Sequence, residues 1–253
     1  MERDRHHDGD LVLVLGGTGG IGSAVCRRLL AEGAQVISAS RSDPCETSIS
    51  ESSRSDGLSH LKIDAADFDQ MDEAVEAILS ERGPIRGLVN AVGSILLRPA
   101  HLTDRATWED VIRTNLTSAF AAVRSGAKAM RASGGSIVLI ASAAASIGLR
   151  NHEAIAAAKG GVVALTRSAA ATYARFNLRV NCVSPGMVLT SLSEPILASE
   201  KARAASEALH PLRRLGTPDE IASAVCWLLR PEQSWVTGQV LGVDGGLASI
   251  RDP

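Results

Sequence analysis

The stretch Gly16-Gly17-Thr18-Gly19-Gly20-Ile21-Gly22 decides the fold, because it follows directly on the apolar run Leu11-Val12-Leu13-Val14-Leu15. A short Val/Leu run closed by glycine is the pattern of a buried parallel strand. Beyond the glycines, Ile21, Val25, Leu29 and Leu30 recur at helical spacing. Strand, glycine turn and helix therefore follow one another. Glycines let a backbone approach a diphosphate closely, and a helix N-terminus offers free N–H groups and a partial positive charge. The cluster is read as a nucleotide-binding turn rather than a purely structural one.

Composition sets the frame. A chain of 253 residues with 45% hydrophobic and 21% charged residues fits one globular domain. The net charge of −2 and the lack of a basic block argue against nucleic acid or an anionic membrane surface as partner. Residues 1–10 form a charged N-terminal extension with no signal-peptide core. No run of about eighteen apolar residues marks a membrane span, so a cytoplasmic protein is expected. Cys26, Cys45, Cys182 and Cys226 lack CxxC spacing and read as reduced thiols. His6, His7 and His60 have no partners at metal-ligand spacing, and no metal site is expected.

Further strands are expected at 35–39, 61–63, 88–90, 136–140, 178–183 and 239–243. Helices are expected at 68–79, 108–130, 154–174 and 218–229, the last capped by Thr217 with Pro218 in its first turn. The polar stretch 41–59 reads as a solvated loop and 190–210 as a helical flap over the substrate. Alternating strands and helices imply right-handed crossovers and a doubly wound, Rossmann-like parallel sheet in a single α/β domain spanning 11–253. Ligands in such sheets bind beyond the carboxyl ends of the strands. The glycine cluster, Asp64, Asn90 to Gly93, Ser142 and Pro185-Gly186 all fall there.

These motifs together resemble the short-chain dehydrogenase/reductase family. Gly16 to Gly22 matches its G-x-x-x-G-x-G turn, and Asn90-Ala91-Val92-Gly93 is similar to its N-N-A-G element. Pro185-Gly186-Met187-Val188-Leu189-Thr190 resembles the P-G-x-x-x-T element near the nicotinamide. Arg214 to Ala222 and Thr237 to Gly246 resemble the C-terminal segment. The resemblance runs from residue 11 to about 247 and implies cofactor contacts from Gly16, Thr18, Gly19, Gly20, Ile21, Gly22, Asp64, Ala65, Asn90, Ala91, Gly93, Lys159, Pro185, Gly186, Val188 and Thr190. It also implies a homo-oligomer, tetramer or dimer, built on the two long Ala-rich helices.

Cofactor choice follows from charge. An acid after the second strand would hold a ribose 2′-hydroxyl, whereas a 2′-phosphate needs a cation. Ser40 and Arg41 stand there, with the nearest acid at Asp43, so NADP(H) is expected over NAD(H).

The catalytic set implied by the resemblance is Asn, Ser, Tyr and Lys. Asn115, Ser142 and Lys159 match three of them. The tyrosine belongs one helical turn before the lysine, and that position is Ile155. The only tyrosine, Tyr173, lies fourteen residues past Lys159 and cannot reach. Isoleucine has no proton to give, and positioned acid–base catalysis is worth about 10²–10⁴-fold. Two nearby groups are candidate substitutes, His152 and Glu153. Alternatively Asn151 caps the helix, Glu153 favours its first turn, and His152 lies on the surface.

Three activities are compatible with this set. The first is an NADP(H)-dependent oxidoreductase with an altered proton pathway, acting on a small, apolar or cyclic molecule. The second is a non-redox cyclase, isomerase or dehydratase in which Ile155 with Ala143, Ala144, Ala145, Ala156 and Ala157 lines a roomier pocket. The third is a catalytically silent cofactor-binding partner. Leu192, Pro195, Ile196 and Leu197 suggest an apolar lid in 190–210.

Overall fold

Residues 6–42 and 57–250 are described by the computed structural model. Asp43, Pro44, Cys45 and most of the expected loop 41–59 lie outside the described residues. The helices are Gly20–Ala31 (α1), Phe68–Arg82 (α2), Arg105–Ile112 (α3), Ser118–Met130 (α4), Glu153–Tyr173 (α5), Glu200–Leu209 (α6) and Pro218–Leu229 (α7). The strands are Leu11–Leu15 (β1), Gln35–Ser40 (β2), Leu58–Lys62 (β3), Ile85–Asn90 (β4), Gly135–Ile140 (β5), Leu178–Pro185 (β6) and Val240–Val243 (β7). They form one parallel sheet in the order β3-β2-β1-β4-β5-β6-β7.

Strand periodicity divides the core in two. Leu11, Leu13 and Leu15 pack with Ile37, Leu88, Ile137 and Leu139 against α2, α4 and α5. Val12 and Val14 pack with Val36, Val89 and Val138 against α1 and α7. Both faces of β1 are thus covered, which is why it reads as an unbroken apolar run rather than an alternating one. From β1 the strand order proceeds one way to β2 and β3 and the other way to β4. The space beyond the carboxyl ends of β1 and β4 is the switch-point crevice.

Several expected boundaries are corrected. The single helix expected at 108–130 starts at Arg105 and is interrupted by a π turn at Arg113–Thr117, between α3 and α4. The Asn115 side chain donates from Nδ2 to the Val111 carbonyl (3.0 Å), and Ser118 Oγ donates to the Thr114 carbonyl (2.6 Å). These side chains bond carbonyls on the preceding turn and compete with the regular backbone ladder there. β3 lies earlier than 61–63 because Leu58 to Lys62 pair with Val36 to Ser40. β6 extends to Pro185, where β7 supplies the pairing. Asn151 does not cap α5: it adopts a left-handed φ of 62°, and His152 is the capping residue, with no side-chain cap bond. His6 to Asp10 of the expected extension belong to the body of the fold, since His7 is 2% exposed and its Nε2 bonds the Cys226 carbonyl (3.3 Å).

Cys26, Cys182 and Cys226 are free and buried. Burial pushes the Cys182 thiol up to about 11 and the other two further, which leaves them inert. No helix among the described residues is long and apolar enough to cross a membrane.

Helix α7 starts in a capping box. Glu220 N–H donates to Thr217 Oγ1 (3.3 Å), and Thr217 N–H donates to Glu220 Oε2 (2.8 Å). Thr217→Ala is expected to cost about 1 kcal/mol and to lower Tm by about 2–4 °C. A thermal melt reads this directly; an unchanged Tm would show that the box does not hold α7 on the sheet.

Candidate active site

The glycine turn is shaped by close approach. Gly16 has a φ of 76°, and a Cβ there would meet the Ala91–Val92 backbone at 2.9 Å. A Cβ on Gly22 would stand 2.1 Å from the Gly16 carbonyl oxygen. Only glycine lets α1 begin this close to the end of β1. Gly19 precedes α1 and offers no side chain to cap it, so the first-turn N–H groups face the crevice for an anionic ligand.

Three adjoining spaces follow the carboxyl edge of the sheet. The first, about 250 Å³, is lined by Gly16, Thr18, Gly19, Ser40, Arg41, Asp64, Ala65, Ala91 and Gly93, all expected from the sequence. Arg113 and Thr114 line it too, and neither is flagged by the sequence: they arrive from the π turn, far from the glycines along the chain. Arg113 donates to Asp64 Oδ2 (2.6 Å), and Ala66 N–H donates to Asp64 Oδ1 (2.9 Å). Partial burial pushes the Asp64 carboxyl up, but these two donors outweigh it and hold it below its usual range. Ser40 departs from expectation as a phosphate donor, since its hydroxyl already donates to the Ser42 carbonyl (2.6 Å).

The second space, about 140 Å³, brings Ile21, Ser142, Ile155, Lys159, Pro185, Gly186, Val188 and Thr190 together. Gly20 packs directly beneath Thr190, where a Cβ would lie 2.6 Å from its methyl group. Lys159 is buried, and its Nζ donates to the Ile140 carbonyl (2.8 Å). Burial lowers its ammonium from an ordinary 10.5 to about 8. Ser142 accepts the Ala144 N–H (3.2 Å), which leaves its own proton to donate into the cavity.

Asn90 and Asn115 line none of these spaces and act from behind. Asn90 Nδ2 donates to Ser118 Oγ (3.3 Å), while its Oδ1 accepts Val92 N–H (3.2 Å). Asn115 grips Ser94 twice, accepting its N–H (3.1 Å) and donating to its Oγ (2.9 Å). The π turn thereby anchors the loop after β4.

The third space is a cleft of about 590 Å³ that shares Ser142, Ile155, Pro185, Gly186 and Met187 with the second. Its walls are mostly apolar, including Ile95, Leu97, Ala143, Ala144, Leu149 and Ile196. Ala145, Ala156 and Ala157 do not line it, contrary to the expected pocket; Ala157 is exposed because it sits on the outer face of α5. Of the expected lid residues, Ile196 reaches this cleft and Leu192 the smaller cavity, while Pro195 and Leu197 line neither. The flap is pinned at Ser193, whose hydroxyl donates to the Val188 carbonyl (2.6 Å). It is pinned again at His210, which accepts the Met187 N–H (3.1 Å). His152 lines the cleft rather than lying on the open surface, whereas Glu153 is exposed and lines none of the three spaces. α5 runs unbroken from Glu153 to Tyr173, so Tyr173 stays remote from the site.

A family model described as enoyl-(acyl carrier protein) reductase matches residues 16–248. A tropinone reductase homologue of Arabidopsis thaliana is 36% identical over 252 residues, covering 97% of this chain and 96% of that one. Cyclopentanol dehydrogenase of Comamonas testosteroni is 34% identical over 239 residues, with coverages of 93% and 96%. The solved structure of ElxO with NADP bound superposes with a TM-score of 0.90 at 29% identity, covering 96% of this chain and 100% of that one. The chain belongs to the short-chain dehydrogenase/reductase family of oxidoreductases.

Lys159 makes stability depend on pH. Its folded-state value lies below the unfolded one, so between about 8 and about 10.5 the unfolded chain holds a proton that the folded chain has lost. Stability from this group therefore rises with pH across that window. Urea titrations of wild type and Lys159→Met at the two ends should show the wild type gaining relative to the variant as pH rises. A pH-independent difference would rule out the buried ammonium.

Proposed function

We propose that the chain is an NADP(H)-dependent oxidoreductase that interconverts a carbonyl and an alcohol on a small, apolar or cyclic molecule, with its proton drawn from a group other than residue 155. The observation that carries the reading is the continuity of the glycine cradle with a cavity that holds Ser142 and Lys159 beside an apolar cleft. When bound, a reduced nicotinamide supplies hydride to the carbonyl carbon.

The chain's own residues bind, orient and shield. The N-terminus of α1 holds the diphosphate, and the wall of Ala91 and Gly93 supports the adenosine side. Asp64, pinned by Arg113, faces the adenine. Arg41 supplies the cation for a 2′-phosphate, and Asp64, the one carboxylate among the described wall residues, is already paired with Arg113. Ser142 donates its free hydroxyl proton as a hydrogen bond to the substrate oxygen. Lys159, with Asn115 bracing the loop opposite, contacts the nicotinamide ribose. Water is kept out by the apolar walls and by the Ile196 side of the flap. The NADP-bound relative and the cyclic substrates named for two relatives support the cofactor and substrate class.

The proposal extends to a cytoplasmic homo-oligomer, tetramer or dimer, assembled on α4 and α5. Phe120 on α4 supports this: it is 48% exposed while stacked on Phe68, an apolar ring pair open to a second chain. A non-redox activity with an idle cofactor has one supporting observation, the burial of Ile155 in an apolar wall with Val111, Ala154 and Ala158.

The distinguishing experiment follows NADPH absorbance with cyclopentanone and tropinone. Oxidised cofactor is expected to match alcohol product mole for mole; product formed without NADPH loss would sink the redox reading. Arg41→Ala is expected to weaken NADPH binding by about 10–100-fold, the scale of a lost charge-assisted bond. NADH binding should be unchanged, with both affinities read from nicotinamide fluorescence.

A further inference from the structure

Few side chains around Ser142 can release a proton into the cleft. Ile155 cannot, and it lies 4% exposed among apolar neighbours. Among the described residues that line the cleft, those whose side chains carry exchangeable protons are Ser142, Arg150, His152, Ser206 and His210. Serine hydroxyls are too weakly acidic, and an arginine does not give up its proton. His210 has both ring nitrogens engaged by the backbone, Nδ1 with the Ser206 carbonyl (2.8 Å) and Nε2 with the Met187 N–H (3.1 Å). Lys159 lines only the smaller cavity, with its Nζ turned to the Ile140 carbonyl.

His152 differs from all of these. Its Nδ1 lies 2.6 Å from the Arg150 carbonyl oxygen. A carbonyl only accepts, so Nδ1 carries a proton and the ring's other nitrogen, Nε2, is the one left to exchange. His152 caps α5 three residues before Ile155, and both residues line the cleft that Ser142 also enters. The ring is half-buried, which keeps it in exchange with solvent.

We propose that His152 is the general acid–base of this site, delivering the proton through Nε2 to the oxygen held by Ser142. This rests on the redox reading above. In reduction, hydride from the reduced nicotinamide forms the new C–H bond as the carbonyl π bond breaks, and the nicotinamide is oxidised. The oxygen takes the Nε2 proton of the imidazolium and forms the O–H bond. The imidazole is left neutral with its Nδ1–H still on the Arg150 carbonyl, and solvent at the cleft mouth restores the lost proton. In alcohol oxidation Nε2 accepts the same proton. The charged or titratable groups that share the cleft are Arg150 and His210, and Glu153 adjoins on α5.

The test uses cyclopentanone and tropinone as probes with NADPH. His152→Gln should lower kcat by about 10²-fold, within the range of positioned acid catalysis. KM and the NADPH Kd should stay close to wild type, a split that a merely structural role would not produce. The double variant His152→Gln/Ile155→Tyr should regain rate, because the tyrosine supplies the acid from its own position. An unchanged kcat in His152→Gln overturns the assignment while the redox reading stands. Loss of NADPH affinity in parallel with kcat also overturns it, as the sign of a structural residue. Absence of NADPH oxidation by the wild type with both ketones overturns the redox reading itself, and the assignment with it.

Discussion

The near-contact between Gly22 and the Gly16 carbonyl is the constraint on which the rest of the structure depends. With no Cβ at either position, α1 begins within van der Waals reach of the strand it follows, and its free N–H groups face the switch-point crevice. The neighbouring loop after β4 takes its place against Gly16, where a side chain would strike the Ala91–Val92 backbone. Thr190, in the segment that follows β6, comes to rest on Gly20. Three segments far apart in the chain are thereby gathered at one helix end. A larger side chain anywhere in this set would push the pieces apart and dissolve the cradle.

A second layer of organisation comes from polar groups that the fold buries and then satisfies. Asn115 interrupts the helix between α3 and α4 by bonding Val111 and Ser94, and so ties the helical layer to the loop beneath the cofactor. A π turn of this kind costs regular hydrogen bonding and is retained where its geometry is used. Lys159 is held by one backbone carbonyl in a dry setting, which makes its charge easy to remove. Arg113 and Asp64 pair with one another in the wall beside the glycine turn, and Arg41 is a second cation there, near enough to help hold the Asp64 carboxyl low. These are the electrostatic terms of a dinucleotide site. They say little about the bond being made or broken.

Ile155 belongs to the apolar wall of the substrate-sized cleft. Isoleucine extends the apolar surface of the cleft that Ser142 and His152 also line. There the left-handed turn at Asn151 brings the Arg150 carbonyl under the imidazole of His152. A backbone carbonyl thus fixes the proton on Nδ1 and leaves Nε2 as the nitrogen available for exchange.

Much of this was legible in the residues themselves. The Val/Leu runs, the glycine spacing and the strand-end motifs foretell a parallel doubly wound sheet and most of the residues that line the cavity beside the glycine turn, because they are local patterns with a single physical solution. The absence of a proton at position 155 is also read without a structure, since Lys159 lies one turn on. Other features escaped. Arg113 reaches Asp64 across forty-nine residues, the π turn arises from side chains competing for carbonyls, and Ser40 spends its proton on Ser42. Asn151 looks like a helix cap but takes the left-handed turn instead. The sequence by itself determined the fold and the glycine turn between β1 and α1, because period, glycine and side-chain chemistry are properties of neighbours along the chain. Only the tertiary structure decided which groups surround Ser142 and which nitrogen of His152 is free, because those depend on hydrogen bonds and packing between segments that the sequence keeps apart.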